Sequence, residues 1–489
     1  MNAPPDAGSV ATGATTPAPE PRCTQAGATT PTPEPRSAQA LATTPAPEPR
    51  PTQAIATTPA PEPRPTQARP PLSQITNGLT LIGSKAIPMG LGFVFWVIAA
   101  RSFAPRQVGI AAGAVAAMML CTQIAQLGFG SAFITHYPAR RREPAPLLNT
   151  SFTLVAALGV LWGLLFVALA GFAFHQLDIV AGSFGFVLLF VFASLFGTLG
   201  ILYDQVATAL RRGDQALVRN LAFAAGTVVL LAAIVGGTDR AGAESIFMPW
   251  AVAGLVALLI GMRQIRRTLP DYRLRLSVRW GLARELTRAG MPNYALTLAE
   301  RAPGLILPVV VAELLSPAAN ATWYTVWMMA WVLYIVPIQV GMTIFSEASH
   351  DPGALGESIR RGVLCSLAVG AVGAVVLGLG AHLALSILGH HYARGGVWPL
   401  RILVAAFVPL SFVQAYYSAA RARRRLREAI VVAWSSALVS VAVAGVAGLI
   451  GGLTAMALAW VAVQFVTGAW SMWRVRAIRR DARVGEPAL

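Results

Sequence analysis

From residue 75 to about residue 473 the chain is a succession of long apolar runs separated by short polar connections. At 1.5 Å per helical residue, each run is about long enough to cross ~30 Å of hydrocarbon. The runs fall at about 76–100, 108–128, 150–174, 181–209, 218–237, 247–263, 291–315, 320–345, 362–388, 398–420, 428–450 and 452–473. They predict an all-α polytopic membrane protein with about 12 transmembrane helices. The connection between the last two runs is the least marked.

Residues 1–72 follow a different pattern. They hold 18 of the 34 prolines and no Phe, Tyr or Trp. A 14-residue unit repeats four times, at Gly13–Ala26, Gly27–Ala40, Leu41–Ala54 and Ile55–Ala68. Such a segment buries too little apolar surface to offset its chain entropy, which predicts a disordered Pro-rich tail of polyproline II character. It reads as a solvated tether; the alternative is a docking tail for a partner with an aromatic groove. It has no apolar central region and does not read as a signal peptide.

Composition and charge narrow the class. The chain is 55% hydrophobic and 12% charged, with a mean hydropathy of +0.60. A soluble domain carries about 25% charged residues. Lys and Arg outnumber Asp and Glu by 38 to 21, and the tail is neutral. With the N-terminus inside, 26 arginines fall on inner connections and ends, and five on outer ones. That skew predicts an even number of spans and both termini in the cytoplasm, with residues 477–489 as a basic tail. Nucleic-acid binding is excluded, because the arginines sit beside spans rather than on one folded face. The inner connection 264–290 places Leu274, Val278, Trp280, Leu282 and Leu286 among arginines and reads as an interfacial amphipathic segment.

Catalytic chemistry is hard to assemble. Cys23, Cys121 and Cys365 and the six His residues show no metal or redox spacing. No phosphate-binding loop and no nucleophile–base set is present. The outer connections are short, which counts against a membrane glycosyltransferase or ligase. These features predict a non-enzyme with no cofactor and no metal.

The two halves look related. Pro105 and Pro317 are 212 residues apart, and Gly130 and Gly341 are 211 apart. One offset for two landmarks suggests duplication into lobes at 73–270 and 271–476, as transporters are commonly built. The stretch VIAARSFAPRQVGIAAGAVAAMMLCTQIAQLGFGSAFI, Val97–Ile134, resembles the opening of the polysaccharide-biosynthesis, oligosaccharide-flippase branch of the MOP transporter superfamily. Pro292–Pro317 looks like its seventh span, and Ile387–Leu410 is similar to its ninth-to-tenth connection. The resemblance covers about residues 73–475. It implies alternating access by two six-helix lobes, which move a lipid-linked oligosaccharide or polysaccharide precursor across the cytoplasmic membrane. Membrane lipids, a polysaccharide polymerase and glycosyltransferases are the partners it implies. The alternative is a cation-coupled multidrug or metabolite antiporter of the MATE type. A non-transporting scaffold recruited through the tail is a further reading.

Charges inside spans are costly, at least ~2.5–3.5 kcal/mol each, and become candidate site residues. Lys85, the only lysine, lies about 13–15 Å into the first span, with Pro88 one turn on. Glu300 and Arg301 lie at similar depth in the seventh span. As helix neighbours they point in different directions. The expectation is that Lys85 and Glu300 face a central cavity and pair across the lobes, while Arg301 contacts pyrophosphate or sugar. A structural ion pair is the competing reading for Lys85. Asp204 and Glu313 lie near span ends and read as an ion pair with the arginine cluster and as a rim residue. Each is otherwise a coupling site. Asn77, Asn293, Gln123, Gln126 and Gln414 suit interhelical contacts or sugar hydroxyls. Trp323, Tyr324, Trp327, Trp331 and Tyr334 suit helix packing, with sugar stacking as the second reading.

Overall fold

A computed structural model describes residues 71–237, 242–351, 353 and 355–484, with side chains between residues 87 and 478. The repeat tail up to residue 70, and the side chains of Asn77 and Lys85, lie outside the described residues. The described chain is helical: α1 (Pro71–Ser102), α2 (Pro105–Ala125), α3 (Phe129–His136), α4 (Ala145–Ala173), α5 (Ile179–Gly182), α6 (Phe184–Ala209), α7 (Gly213–Gly236), α8 (Gly242–Thr268), α9 (Trp280–Leu314), α10 (Pro317–His350), α11 (Leu355–Ser386), α12 (His390–Val404), α13 (Phe407–Ala422) and α14 (Leu426–Val484). Nine of these are long and apolar enough to cross a membrane, and α12 with α13, bent by 44°, makes up to ten. A helix satisfies its own backbone hydrogen bonds, which is what hydrocarbon demands. The protein is a multi-pass membrane protein.

The helices follow the apolar runs, and their departures have local causes. The second run stops at Ala125 because Leu127 (φ 41°) and Gly128 (φ 79°) turn left-handed, and α3 then starts on a new axis. The tenth run breaks after Val404. Pro409 has no N–H to give the Ala405 carbonyl, so one straight helix cannot run through. Between the last two runs, Gly451 and Gly452 interrupt α14 with non-helical backbone. Helix α9 starts eleven residues earlier than the seventh apolar run. Its first three turns are held by packing, with Ala283 and Leu286 buried against Phe129 and Phe133 of α3. The amphipathic connection is therefore only partly interfacial: Leu276 and Trp280 are exposed, but Leu286 is core.

Packing differs between the two ends of the helices. At the arginine-poor end one apolar core joins every long helix. It runs from Trp96, Ile110 and Phe190 to Val311, Tyr324, Leu403 and Trp460. At the arginine-rich end there are two cores. One gathers α3, α4, α6, the end of α8 and the start of α9 around Phe133, Leu202 and Leu286. The other gathers α9 from Leu296 onward with α10, α11, α13 and α14 around Ile344, Tyr416 and Val475. Helix α9 passes from one to the other between Leu286 and Leu296, across Gly290 and Pro292.

Candidate functional site

The described residues form a cavity between α9, α10, α13 and α14. It holds about 610 Å³ of empty space, including space open to solvent. Helical spacing builds its walls. Trp327, Trp331 and Tyr334 fall on one face of α10, and Leu410, Gln414 and Tyr417 on one face of α13. The aromatic wall is closely packed. Trp460 meets Trp327 edge-on with ring centroids 4.9 Å apart, and stacks on Tyr334 at 5.8 Å. The Tyr334 hydroxyl donates to the Leu403 carbonyl at 2.6 Å, which fixes its ring. Gln464, from the second part of α14, donates to Ser440 at 3.0 Å.

Glu300 enters this cavity from α9. Its carboxylate accepts from Arg421 at the end of α13, 3.5 Å away, and the two side chains are only 14% and 12% exposed. The expected Lys85–Glu300 pair involves a side chain outside the described residues; among the described residues Glu300 pairs with Arg421. This pair forms because α13 packs beside α9 and brings a guanidinium to the carboxylate from the same half of the chain. Arg301, the next residue, is exposed. A rotation of about 100° between helix neighbours separates the two faces.

The other candidates sit in the following contacts. Asp204 on α6 accepts from Arg219 on α7 at 2.8 Å and from Asn220 at 3.2 Å. Arg219 belongs to the arginine cluster expected to pair with Asp204, but it is buried within a span rather than in a connection. Its guanidinium also lies over the Tyr203 ring. An Arg219→Met variant leaves a mostly buried carboxylate unpaired and should lose about 2–3 kcal/mol of stability, below the 3–5 of a fully buried pair because Asp204 is 32% exposed. The double variant with Asp204→Leu should recover most of it in thermal unfolding. Additive losses would contradict the pairing. Glu313, near the end of α9, accepts from the backbone N–H groups of His175, Gln176 and Leu177, at 2.8, 3.2 and 2.8 Å. It ties the connection after α4 to α9. Gln126 donates to the Thr198 carbonyl, and Gln123 accepts from the Tyr294 hydroxyl, both as interhelical contacts. Asn293 is exposed. Trp323 is fully buried.

Further contacts cross between the two halves of the sequence. At the arginine-poor end Trp96 packs on Tyr324, Asn320 donates to the Gly109 carbonyl at 2.7 Å, and Arg101 donates to the Ile387 carbonyl at 2.6 Å. At the arginine-rich end the backbones of Gly128 and Gly290 touch, and Arg140 bridges to Glu285 at 2.9 Å. There the Tyr272 hydroxyl donates to Asn149 at 2.8 Å, and burial pushes its phenol up to about 12. These contacts bind the start of α9 to the first half, and Tyr294 and Glu313 tie its middle and end to the first half as well.

The chain from α1 to α10 matches a known family. Residues 75–349 match the polysaccharide biosynthesis protein family. The chain belongs to that family. No curated protein matches the chain. Among solved structures, it is similar to the lipid II flippase MurJ in an inward closed conformation, with a TM-score of 0.64, 10% identity, and 82% of this chain and 90% of that one covered. It is also similar to an inward-facing MATE multidrug resistance transporter of the MOP superfamily (TM-score 0.63, 12% identity, 82% and 96% covered). A MOP superfamily transporter from Pyrococcus furiosus gives a TM-score of 0.57 at 11% identity, with 84% and 96% covered. At these identities the likeness is one of fold. This member of the polysaccharide biosynthesis family thus has the MOP transporter fold. Trp460, which lines its cavity, and Arg421, which pairs with Glu300, carry no sequence signal of their own. Arg421 reads as one more arginine at a span end, and Trp460 as one more apolar residue.

Proposed function

We propose that the protein is a flippase that moves a lipid-linked oligosaccharide or polysaccharide precursor across the cytoplasmic membrane for cell-surface polysaccharide synthesis. The observation that carries this is the asymmetry of the cores in a member of the polysaccharide biosynthesis family. One core closes the arginine-poor end, and two separate cores stand at the arginine-rich end. A carrier that alternates access needs one end sealed while its two bodies part at the other. Rocking then reverses the ends. The arginine-rich end is the cytoplasmic one on the positive-inside rule, so the two separate cores lie on the cytoplasmic side, bridged there by the start of α9 through Gly290 and Glu285.

In this reading α1, α2, α4, α6, α7 and α8 are the spans of a lobe at 73–270. Helices α9, α10, α11, the bent α12–α13 pair and the two parts of α14 are the spans of a lobe at 271–476. That makes twelve spans with both termini cytoplasmic, a tether at 1–72 and a basic tail at 477–489. The protein moves its substrate without altering it, between glycosyltransferases that assemble it and a polymerase that consumes it. Lys85 and Arg301 are the cations we assign to the lipid pyrophosphate. A Lys85→Ala variant with normal abundance should lose most transport, and normal transport would remove Lys85 from the site. The antiporter alternative needs a buried carboxylate free to take a proton or cation. Here the cavity carboxylate, Glu300, is engaged by Arg421, which favours the flippase. Depletion of the protein in its host should make lipid-linked saccharide accumulate on the cytoplasmic leaflet. An unchanged pool would count against the proposal.

A further inference from the structure

We propose that the cavity between α9, α10, α13 and α14 binds an uncharged pyranose ring of the saccharide. This rests on the flippase reading and adds where the sugar sits and what recognises it. The cavity lies between the core of the arginine-poor end, which supplies Trp327, Tyr334 and Trp460, and the second-half core of the arginine-rich end, which supplies Val413, Tyr417 and Ala433. Its mostly apolar wall with few polar groups is the usual composition of a small-ligand site.

Three features select the ligand class. The first is the aromatic wall, whose rings offer flat apolar faces to the C–H face of a pyranose. The second is an unmatched donor. Trp460 lines the cavity and is 4% exposed, yet its indole N–H has no hydrogen-bond partner among the described residues. A buried donor without an acceptor is costly, and a sugar hydroxyl or ring oxygen in the cavity would supply one. The buried amides of Gln414 and Gln464 line the same space. The third is charge. Glu300 and Arg421 sit together, so a cation finds the carboxylate already engaged and a phosphate finds the guanidinium already engaged. An uncharged polar ring is what remains.

The test uses the full-length protein in nanodiscs and saturation-transfer NMR. The probes are free methyl glucoside, methyl mannoside, methyl rhamnoside and N-acetylglucosamine, with tetramethylammonium and inorganic pyrophosphate run beside them. At least one pyranoside should bind saturably, with strongest transfer to its ring C–H protons. Trp460→Phe keeps the ring and removes the N–H. Gln414→Leu keeps the volume and removes the amide. Each should weaken binding about tenfold, the size of one hydrogen bond to a buried partner. Unchanged melting temperatures show that the variants are folded, and either variant alone carries the comparison if the other fails to fold. Saturable binding of no pyranoside, binding of tetramethylammonium or pyrophosphate instead, or an affinity unaltered in both variants overturns the assignment. Translocation is measured separately. Its loss in the wild-type protein, with sugar binding intact, would overturn the flippase reading and leave the pocket standing.

Discussion

Replacing Gly109 with alanine is expected to abolish transport. A Cβ at this position would lie 1.6 Å from the Pro317 carbonyl oxygen and 2.4 Å from its carbonyl carbon. Both are backbone atoms, so no rotamer change relieves the clash, and α2 and α10 must separate. Adjacent to this contact, Asn320 would lose its hydrogen bond to the Gly109 carbonyl, and the Trp96–Tyr324 packing would loosen. Overpacking of this kind costs about 1–3 kcal/mol, enough to shift a two-state equilibrium by ten- to a hundredfold toward the arrangement open at the arginine-poor end. Spin labels at Gln107 and Ser316, in a protein without its three native cysteines, should report a longer and broader distance in Gly109→Ala than in the parent. Gly92→Ala is the control, since a Cβ there meets nothing within 4 Å. Equal distances and normal transport in both variants would show that this seam does not close the arginine-poor end.

Breaking the Glu300–Arg421 pair is the second large effect. Removing one member of a buried pair leaves the other charge without compensation, at about 3–5 kcal/mol. Glu300→Ala and Arg421→Ala should each lower the melting temperature by several degrees and stop transport. The neutral double variant Glu300→Gln with Arg421→Met removes both charges and should recover most of the stability, because a buried pair contributes little net stabilisation once its desolvation is counted. Single variants as stable as the parent would mean that the 3.5 Å contact does no structural work.

The reach of the sequence follows from the range over which its signals act. Apolar runs are local and placed most helices within a few residues, including the break at Gly451 and Gly452. The start of α9 was not legible, because residues 280–290 carry Arg284, Glu285 and Arg288 and become helical by packing Ala283 and Leu286 on the first half. The turn at Leu127–Gly128 depends on a left-handed backbone that apolar composition hides. At the site, Glu300 stood out because a carboxylate is rare inside a span. Its partner lies 121 residues away, on a helix whose neighbours no spacing reveals. Asp204 was more legible, since Arg219 follows it by only 15 residues. Glu313 shows the opposite limit. Its role comes from three backbone N–H groups, and the backbone has no letter in the sequence.

The flippase reading stands most directly on translocation by the purified protein. Proteoliposomes carrying a lipid-linked saccharide with a short lipid chain and a labelled sugar would be followed by the accessibility of that sugar to a hydrolase added outside. We predict that the protein exchanges the labelled lipid between leaflets, and that Gly109→Ala and protein-free vesicles do not. Exchange no faster in the protein's presence than in bare vesicles, from a protein folded by its melting transition, would contradict the account.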